Sequence, residues 1–354
     1  MEAAFYLSSD RLSLAGGLEG REVVRARLRG FDRRGRSRLA RNLMALAGQA
    51  GALLSFYRHM RGRRPDVAVG FGSYASAPGI LAARLLGAPA VLHEQNAVPG
   101  LTNRLLSRIA SGVAVAFPEA VEGFPRRDCR VLGNPVRREL EEPADRKEAL
   151  RFFGLEEGAF TLAVVGGSQG AGPINRCILE ALGHLGGSGP IQVIHSTGRD
   201  KFRDVLALAE GLHLPEEVTY LPVPFVERMD LLYAAADLLV CRAGASTLAE
   251  LTLRGKAAIL IPFPLAAEAH QEANARSLER RGAALVMQEK DLSGEKLSAK
   301  VRELMEDRQR LREMERQSAR LGVPRSAARL ADFVQEVAYG AGGPGKMPGR
   351  RVER

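Results

Sequence analysis

Short, largely apolar runs recur along the chain at residues 66–70, 89–92, 112–115, 160–165, 191–194, 218–221, 237–240, 257–261 and 284–287, with longer stretches of helical spacing between them. None of these runs alternates polar with apolar positions. Strands of that kind are covered on both faces, which predicts parallel sheets sandwiched by helices. The fold class is therefore α/β, doubly wound. The pattern breaks at Asn134-Pro135 and the charged segment Arg137–Lys147, and a new strand starts at Phe160. That spacing predicts a Rossmann-like N-terminal domain over 1–140 and a second over 150–322, with a helix at 325–338 able to pack back on the first. Residues 340–354, rich in Gly and basic at the end, read as a disordered tail.

Composition narrows the class. The chain has 354 residues, of which 45% are hydrophobic, enough for two cores rather than a disordered or fibrous chain. Cys129, Cys177 and Cys241 are too few and too widely spaced for a disulfide framework or a zinc knuckle. The six histidines are scattered, so no metal site is expected. No signal peptide heads the chain, and the longest charge-free stretch near the start, Asn42 to Tyr57, is short of a membrane span.

Charge is uneven. Of a net +10, residues 1–66 contribute +8 through fourteen Arg and no Lys against six acids. Arginine favours phosphate, and the segment from Leu39 to Tyr57 reads as an amphipathic helix beside it. Two readings stand: a helix packed on a sheet with a solvated basic rim, or a surface that meets an anionic bilayer. Nucleic acid is disfavoured, because 5% aromatics and no Trp leave nothing on which bases would stack.

Several strand ends carry chemistry. Gly166-Gly167-Ser168-Gln169-Gly170-Ala171 follows a strand and opens a helix near Gly172. Its glycines either allow tight packing or let the backbone approach a phosphate at the helix start, with Ser168 and Gln169 as added donors. It fits neither the full dinucleotide fingerprint nor a Walker loop, so NAD and ATP are disfavoured. Cys241-Arg242-Ala243-Gly244-Ala245-Ser246-Thr247-Leu248-Ala249-Glu250 repeats the arrangement, with Ser246 or Thr247 expected at the helix N-cap. Glu250 is either a solvated acid or an acceptor for both hydroxyls of a ribose. Two anion-ready helix starts suit a nucleoside diphosphate. His93-Glu94-Gln95-Asn96 is either an internal polar network or a surface for a polyhydroxylated substrate. Arg137, in Gly133-Asn134-Pro135-Val136-Arg137, supplies a cation, and His270-Gln271 through Asn274-Ala275 a helix start rich in amides.

Taken together and in this order, these five segments resemble the MurG family, the UDP-N-acetylglucosamine:undecaprenyl-pyrophosphoryl-muramoyl-pentapeptide N-acetylglucosaminyltransferases. The resemblance spans residues 1–338. It implies a GT-B fold and an inverting transfer of N-acetylglucosamine from its UDP donor to the 4-hydroxyl of the lipid-linked muramoyl-pentapeptide. That is a step of peptidoglycan synthesis, on which cell shape and division depend. By the same resemblance Asn96, Arg137 and Ser168 contact the donor, and the backbone near Val226 meets uracil. Ala245, Ser246, Thr247, Leu248, Ala249 and Glu250 line the diphosphate and ribose, and Gln271 with His270 holds the sugar and diphosphate. No cofactor is implied. The expected location is the cytoplasmic face of the bacterial inner membrane, held peripherally against an anionic leaflet.

One departure bears on activity. The family opens with a Gly-Gly-Thr-Gly-Gly-His loop whose His is the candidate general base, and no such loop occurs in this sequence. The segment Glu2–Leu7 resembles the family's second strand, so the loop is expected upstream of Met1, and no catalytic residue is assigned. A general base is typically worth about 10²–10⁴-fold in rate, so the chain as written is expected to bind UDP-N-acetylglucosamine and transfer poorly. The alternatives are a non-catalytic nucleotide-sugar-binding or scaffold remnant, and a GT-B transferase with another lipid acceptor, such as diacylglycerol.

Overall fold

A computed structural model describes residues 4–7, 22–25, 38–125, 129–167, 169–266 and 269–340. The expected tail over 340–354 lies outside them from residue 341 onward, as does Ser168. The chain divides into two compact units, one of Met1–Gly133 with Ala327–Arg354 and one of Asn134–Ser326.

In the first unit, β3 (Ala68–Gly70), β4 (Ala90–Glu94), β5 (Gly112–Val115) and β6 (Cys129–Val131) form a parallel sheet in sequence order. Strands β1 (Ala4–Leu7) and β2 (Glu22–Arg25) make a separate parallel pair, rather than joining one N-terminal sheet as expected. Strand β6 has three residues with Arg130 at its centre, so it is not among the apolar runs along the chain. Helix α1 (Arg38–Arg61) is rich in Ala, Leu and Arg, all good helix formers. It places Ala52, Phe56 and Met60, four residues apart, against Ala82 and Ala83 of α2 (Ser73–Leu85). Pro78 sits inside α2 and cannot donate to the carbonyl of Tyr74. That carbonyl instead accepts from Gln49 Nε2 of α1 at 3.4 Å, which explains a polar residue on an otherwise apolar helix face. Helix α3 is short, Leu101–Leu106.

The last helix, α12 (Ser326–Tyr339), also packs on this sheet: Leu330 and Phe333 contact Val91 and Ala114. A Cβ on Gly112 would lie 2.5 Å from Phe333 Cζ, so a glycine is required beneath that ring. Arg130 then lies over Phe333, 4.5 Å from the ring centroid, and bonds both carboxylate oxygens of Glu336 at 2.7 and 2.6 Å.

The second unit has a six-stranded parallel sheet of β7 (Phe160–Val165), β8 (Ile191–Ser196), β9 (Val218–Val223), β10 (Leu238–Cys241), β11 (Ala258–Leu260) and β12 (Ala284–Val286). Its spatial order is β12-β11-β10-β7-β8-β9. Helices α4 (Arg146–Phe153), α5 (Gly172–Leu182), α6 (Phe202–Glu210), α7 (Met229–Ala235), α8 (Ala245–Leu253), α9 (His270–Arg280), α10 (Gly294–Glu306) and α11 (Arg308–Leu321) alternate with the strands. Fully buried Leu162, Val164, Ile174, Leu182, Val193, Val240, Ile259, Leu297 and Val301 belong to one core. Chain order runs outward from β7 through β8 to β9, then returns to β10 on its other side. The gap between the carboxyl ends of β7 and β10 is thus a topological switch point, where open α/β sheets bind ligands.

Candidate functional site

The register fixes what lies at that switch point. Val165 and Cys241, the last residues of β7 and β10, are direct partners, and Cys241 pairs with Leu260 of β11. The turns leaving these three strands therefore emerge side by side on the same edge of the sheet. Helix α5 begins after Ala171 and α8 after Gly244, and neither cap residue supplies a side-chain hydrogen bond. Their caps therefore leave the first amides without a side-chain acceptor, an arrangement whose dipole favours an anion.

The α8 start differs from the sequence expectation. Gly244, in extended conformation, is the N-cap, not Ser246 or Thr247. The helix begins at Ala245 because Gly244 leads into it directly, so Ser246 and Thr247 lie within the first turn, with Ser246 exposed. Leu248 is in the core and offers only its backbone, whereas Ala249 is half-buried.

The turn after β7 is shaped by close approach. Gly170 has φ +65°, and a Cβ there would lie 1.8 Å from the Thr197 carbonyl oxygen. Gly198, at φ +91°, meets the Gly170 amide nitrogen in the same way. Under this contact runs a buried polar chain. Tyr220 O–H donates to His195 Nδ1 at 2.8 Å, His195 Nε2–H donates to Asn175 Oδ1 at 3.1 Å, and Asn175 Nδ2 donates to the Thr197 carbonyl at 2.9 Å. Burial drives the His195 imidazole down to about 4, so it is neutral, as both bonds require. The Gln169 carbonyl accepts from Lys201 Nζ at 2.6 Å, and the Gln169 side chain is exposed.

Glu250 is mostly buried on α8. Its Oε2 accepts from Tyr233 O–H at 3.1 Å, and Arg137 Nη2 stands 3.9 Å from its Oε1. Burial raises its carboxyl above the usual range, and the Arg137 cation and the Tyr233 hydroxyl pull it back. Arg137 lies in the second unit with Glu250. Val226 is buried in the core of the same unit. Cys241, beside Glu250, is pushed up to about 12 by burial and is no nucleophile.

The β11–α9 loop completes this edge. Gln271 Oε1 accepts the Phe263 amide N–H at 2.9 Å, which turns its Nε2 donor outward from that bond. Arg242 holds the loop from the other side, donating to the Ile261 and Pro262 carbonyls at 3.2 and 3.3 Å while ion-paired to Glu289. Asn274 Nδ2 donates to the Ala243 carbonyl at 3.2 Å, tying α9 to the turn before α8. His270 is the first residue of α9, after Ala269 at φ +54°.

The polar segment of the first unit is an internal network in large part. Glu94 accepts from the Asn96 amide at 3.0 Å, Asn96 Nδ2 at 3.2 Å, the Gly100 amide at 3.1 Å and Asn103 Nδ2 at 2.8 Å. His93 is fully buried, bonds the Gly133 carbonyl at 2.9 Å, and burial lowers its pKa.

Thus Arg137, Gln169, Val226, the segment 245–250, His270 and Gln271 all belong to the second unit, and Asn96 to the first. Sequence reading misses Tyr233, Asn175, His195 and Arg242 as site supports. Tyr233 sits in an apolar helix, so only the pairing of α7 with Glu250 reveals it. Among the described residues no group of three or more His, Cys, Asp or Glu is placed to hold a metal ion.

Comparison with known proteins agrees with this picture. Residues 161–330 match the glycosyltransferase family 28 C-terminal domain and residues 19–115 its N-terminal domain. The chain is 41% identical over 92% of its length, and 82% of the relative's, to a protein of Myxococcus xanthus. That relative is named UDP-N-acetylglucosamine--N-acetylmuramyl-(pentapeptide) pyrophosphoryl-undecaprenol N-acetylglucosamine transferase. A Moorella thermoacetica protein of the same name is 41% identical over 88% of the chain and 86% of its own length. The crystal structure of Acinetobacter baumannii MurG superposes with a TM-score of 0.74 at 33% identity, covering 90% of this chain and 86% of that one. The two parallel-sheet units are those of a GT-B glycosyltransferase, and the chain belongs to glycosyltransferase family 28, in its MurG branch.

Proposed function

We propose that this chain transfers N-acetylglucosamine from UDP-N-acetylglucosamine to undecaprenyl-pyrophosphoryl-N-acetylmuramoyl-pentapeptide, converting lipid I to lipid II in peptidoglycan synthesis. The observation that carries the reading is the pair of uncapped helix starts at the β7/β10 switch point, with Glu250 beside them, in a chain so similar to named transferases. The diphosphate lies across the first turns of α5 and α8, where the amides of 245–247 and the turn after β7 neutralise its charge. Glu250 accepts the ribose 2′- and 3′-hydroxyls, Arg137 offsets diphosphate charge, and the backbone at Val226 borders the uracil. Gln271, its Oε1 committed to Phe263, donates Nε2 to a sugar hydroxyl, with His270 adjacent. Ser168 is a further donor contact by the family resemblance, which also assigns one to Asn96.

The acceptor's muramoyl 4-hydroxyl attacks the anomeric carbon from the face opposite UDP with inversion at that carbon, and its proton passes to solvent water. The C1–O bond to the diphosphate breaks and UDP leaves. Charge builds on the leaving β-phosphate, where fixed helix amides stabilise it without reorganisation.

The lipid acceptor implies a membrane surface. Leu101, Arg104, Leu105 and Arg108 follow helical spacing along and just past α3, and exposed Leu81 and Leu85 lie a turn apart on neighbouring α2. An exposed apolar stripe flanked by arginines suits an anionic bilayer leaflet of the cytoplasmic face. Among the described residues no helix is long and apolar enough to cross a membrane.

Purified protein given UDP-N-acetylglucosamine and a lipid I analogue is expected to bind the donor and to form the disaccharide lipid slowly, because the sequence carries no Gly-rich loop with a general-base histidine. Donor binding is measured separately by calorimetry. UDP release with diacylglycerol but not with lipid I would assign another acceptor, and donor binding with no turnover on any acceptor would assign a nucleotide-sugar-binding remnant.

A further inference from the structure

Tyr233 is fully buried on α7, out of reach of any ligand, yet its hydroxyl donates to Glu250 Oε2 at 3.1 Å. A buried hydroxyl is costly unless bonded, and Phe would fill the same fully buried space without that cost. Among the described residues, the groups facing the carboxylate are Tyr233 from α7, Arg137 from the segment before residue 138, and Cys241 from β10. The thiol is neutral, because burial pushes it up to about 12. Arg137 is half-exposed and 3.9 Å away, a distance that attracts without fixing an orientation.

We infer that Tyr233 is a positioning residue whose hydroxyl holds the Glu250 carboxylate in the orientation and charge state that accepts ribose hydroxyls. This rests on the reading of Glu250 as the ribose acceptor. An ionised carboxylate has about four acceptor positions. Tyr233 fills one on Oε2, and the remainder are aimed by that anchor. Glu250 needs such help because burial disfavours its charged form. Without the Tyr233 hydroxyl the carboxyl takes up its proton at higher pH, and a protonated carboxyl no longer accepts two hydroxyls.

The test is calorimetric binding of UDP and of 2′,3′-dideoxy-UDP, from about pH 5.5 to about pH 8.5, to the unchanged chain and to Tyr233→Phe. The substitution is expected to weaken UDP about tenfold, as for a lost hydrogen bond to a charged group. The loss is greatest at the acid end, and the dideoxy analogue, lacking both hydroxyls, is little affected. An equal loss for both nucleotides, or a UDP profile parallel to that of the unchanged chain, would overturn the inference. Glu250→Gln tests the same point with Tyr233 intact. It is expected to abolish the difference in acid dependence between UDP and the dideoxy analogue, which share the diphosphate's own titration, and survival of that difference would also overturn the inference. Failure of the unchanged chain to bind UDP at any pH would instead overturn the nucleotide-site reading beneath it.

Discussion

The Thr197 carbonyl oxygen lies where a Cβ of Gly170 would be, 1.8 Å from that position, so the turns leaving β7 and β8 meet backbone to backbone. This contact sets the height of the glycine-rich turn after β7 above the sheet. It has no room for any side chain, and φ +65° at Gly170 adds a conformational penalty for every other residue. Gly170→Ala is therefore expected to destabilise the protein by about 2–4 kcal/mol and to abolish detectable UDP binding. Urea unfolding and calorimetry measure the two effects, and an alanine variant with native stability would contradict the geometry.

Beneath the same contact, His195 is neutral and fully enclosed. Its pKa falls from 6.5 to about 4 on burial, so between those values the unfolded chain holds a proton that the folded chain does not. Stability must then fall as pH drops from 6.5 toward 4, by about 2 kcal/mol at about pH 5 from this group alone. His195→Gln keeps hydrogen-bonding capacity without titrating. Its urea midpoint is expected to lose less between about pH 7 and about pH 5 than that of the unchanged chain. Parallel losses would show that the histidine does not contribute.

Gln271 divides its amide between two tasks, with Oε1 on the Phe263 N–H and Nε2 left to donate. Replacing it with Leu removes the donor proposed to meet the sugar while leaving the helix starts intact. Affinity for UDP-N-acetylglucosamine is expected to fall about tenfold, and affinity for UDP much less. Competition binding with the two nucleotides checks this. Equal losses would place Gln271 on the diphosphate rather than the sugar.

The exposed stripe on α2 and α3 predicts membrane behaviour. Leu85→Glu with Leu105→Glu places two charges on the apolar face without entering a core. Sedimentation with vesicles rich in phosphatidylglycerol is expected to drop at least about tenfold, since each leucine contributes about 1.5 kcal/mol or more on burial. UDP affinity in solution stays unchanged. Vesicle binding undiminished in the double variant would move the membrane contact elsewhere.

Much of this molecule is legible in its amino-acid order. Buried parallel strands read as unbroken apolar runs because both faces are covered, and glycine turns between strand and helix mark where a backbone must approach a ligand. That is why the strands of the second unit and the turns at 166–171 and 241–250 stand out along the chain. Side-chain caps are the commoner device, so the order of residues points to Ser246 or Thr247 at the start of α8; Gly244 caps it instead, leaving the first amides open. The same order leaves His93-Glu94-Gln95-Asn96 undecided, and Glu94 proves to be spent largely on organising its own loop.

Only the tertiary structure could decide the rest, since it depends on which distant segments meet. The register that sets Val165 beside Cys241 brings two helix starts together although they lie far apart in the chain. Tyr233 looks like one more apolar residue of α7 until its hydroxyl is found on Glu250, and His195 like a lone strand histidine until Asn175 and Tyr220 close on it. Sequence periodicity records which side of an element is buried. The partner that a buried polar atom finds is fixed by packing in three dimensions, and here those partners set the charge and aim of the site.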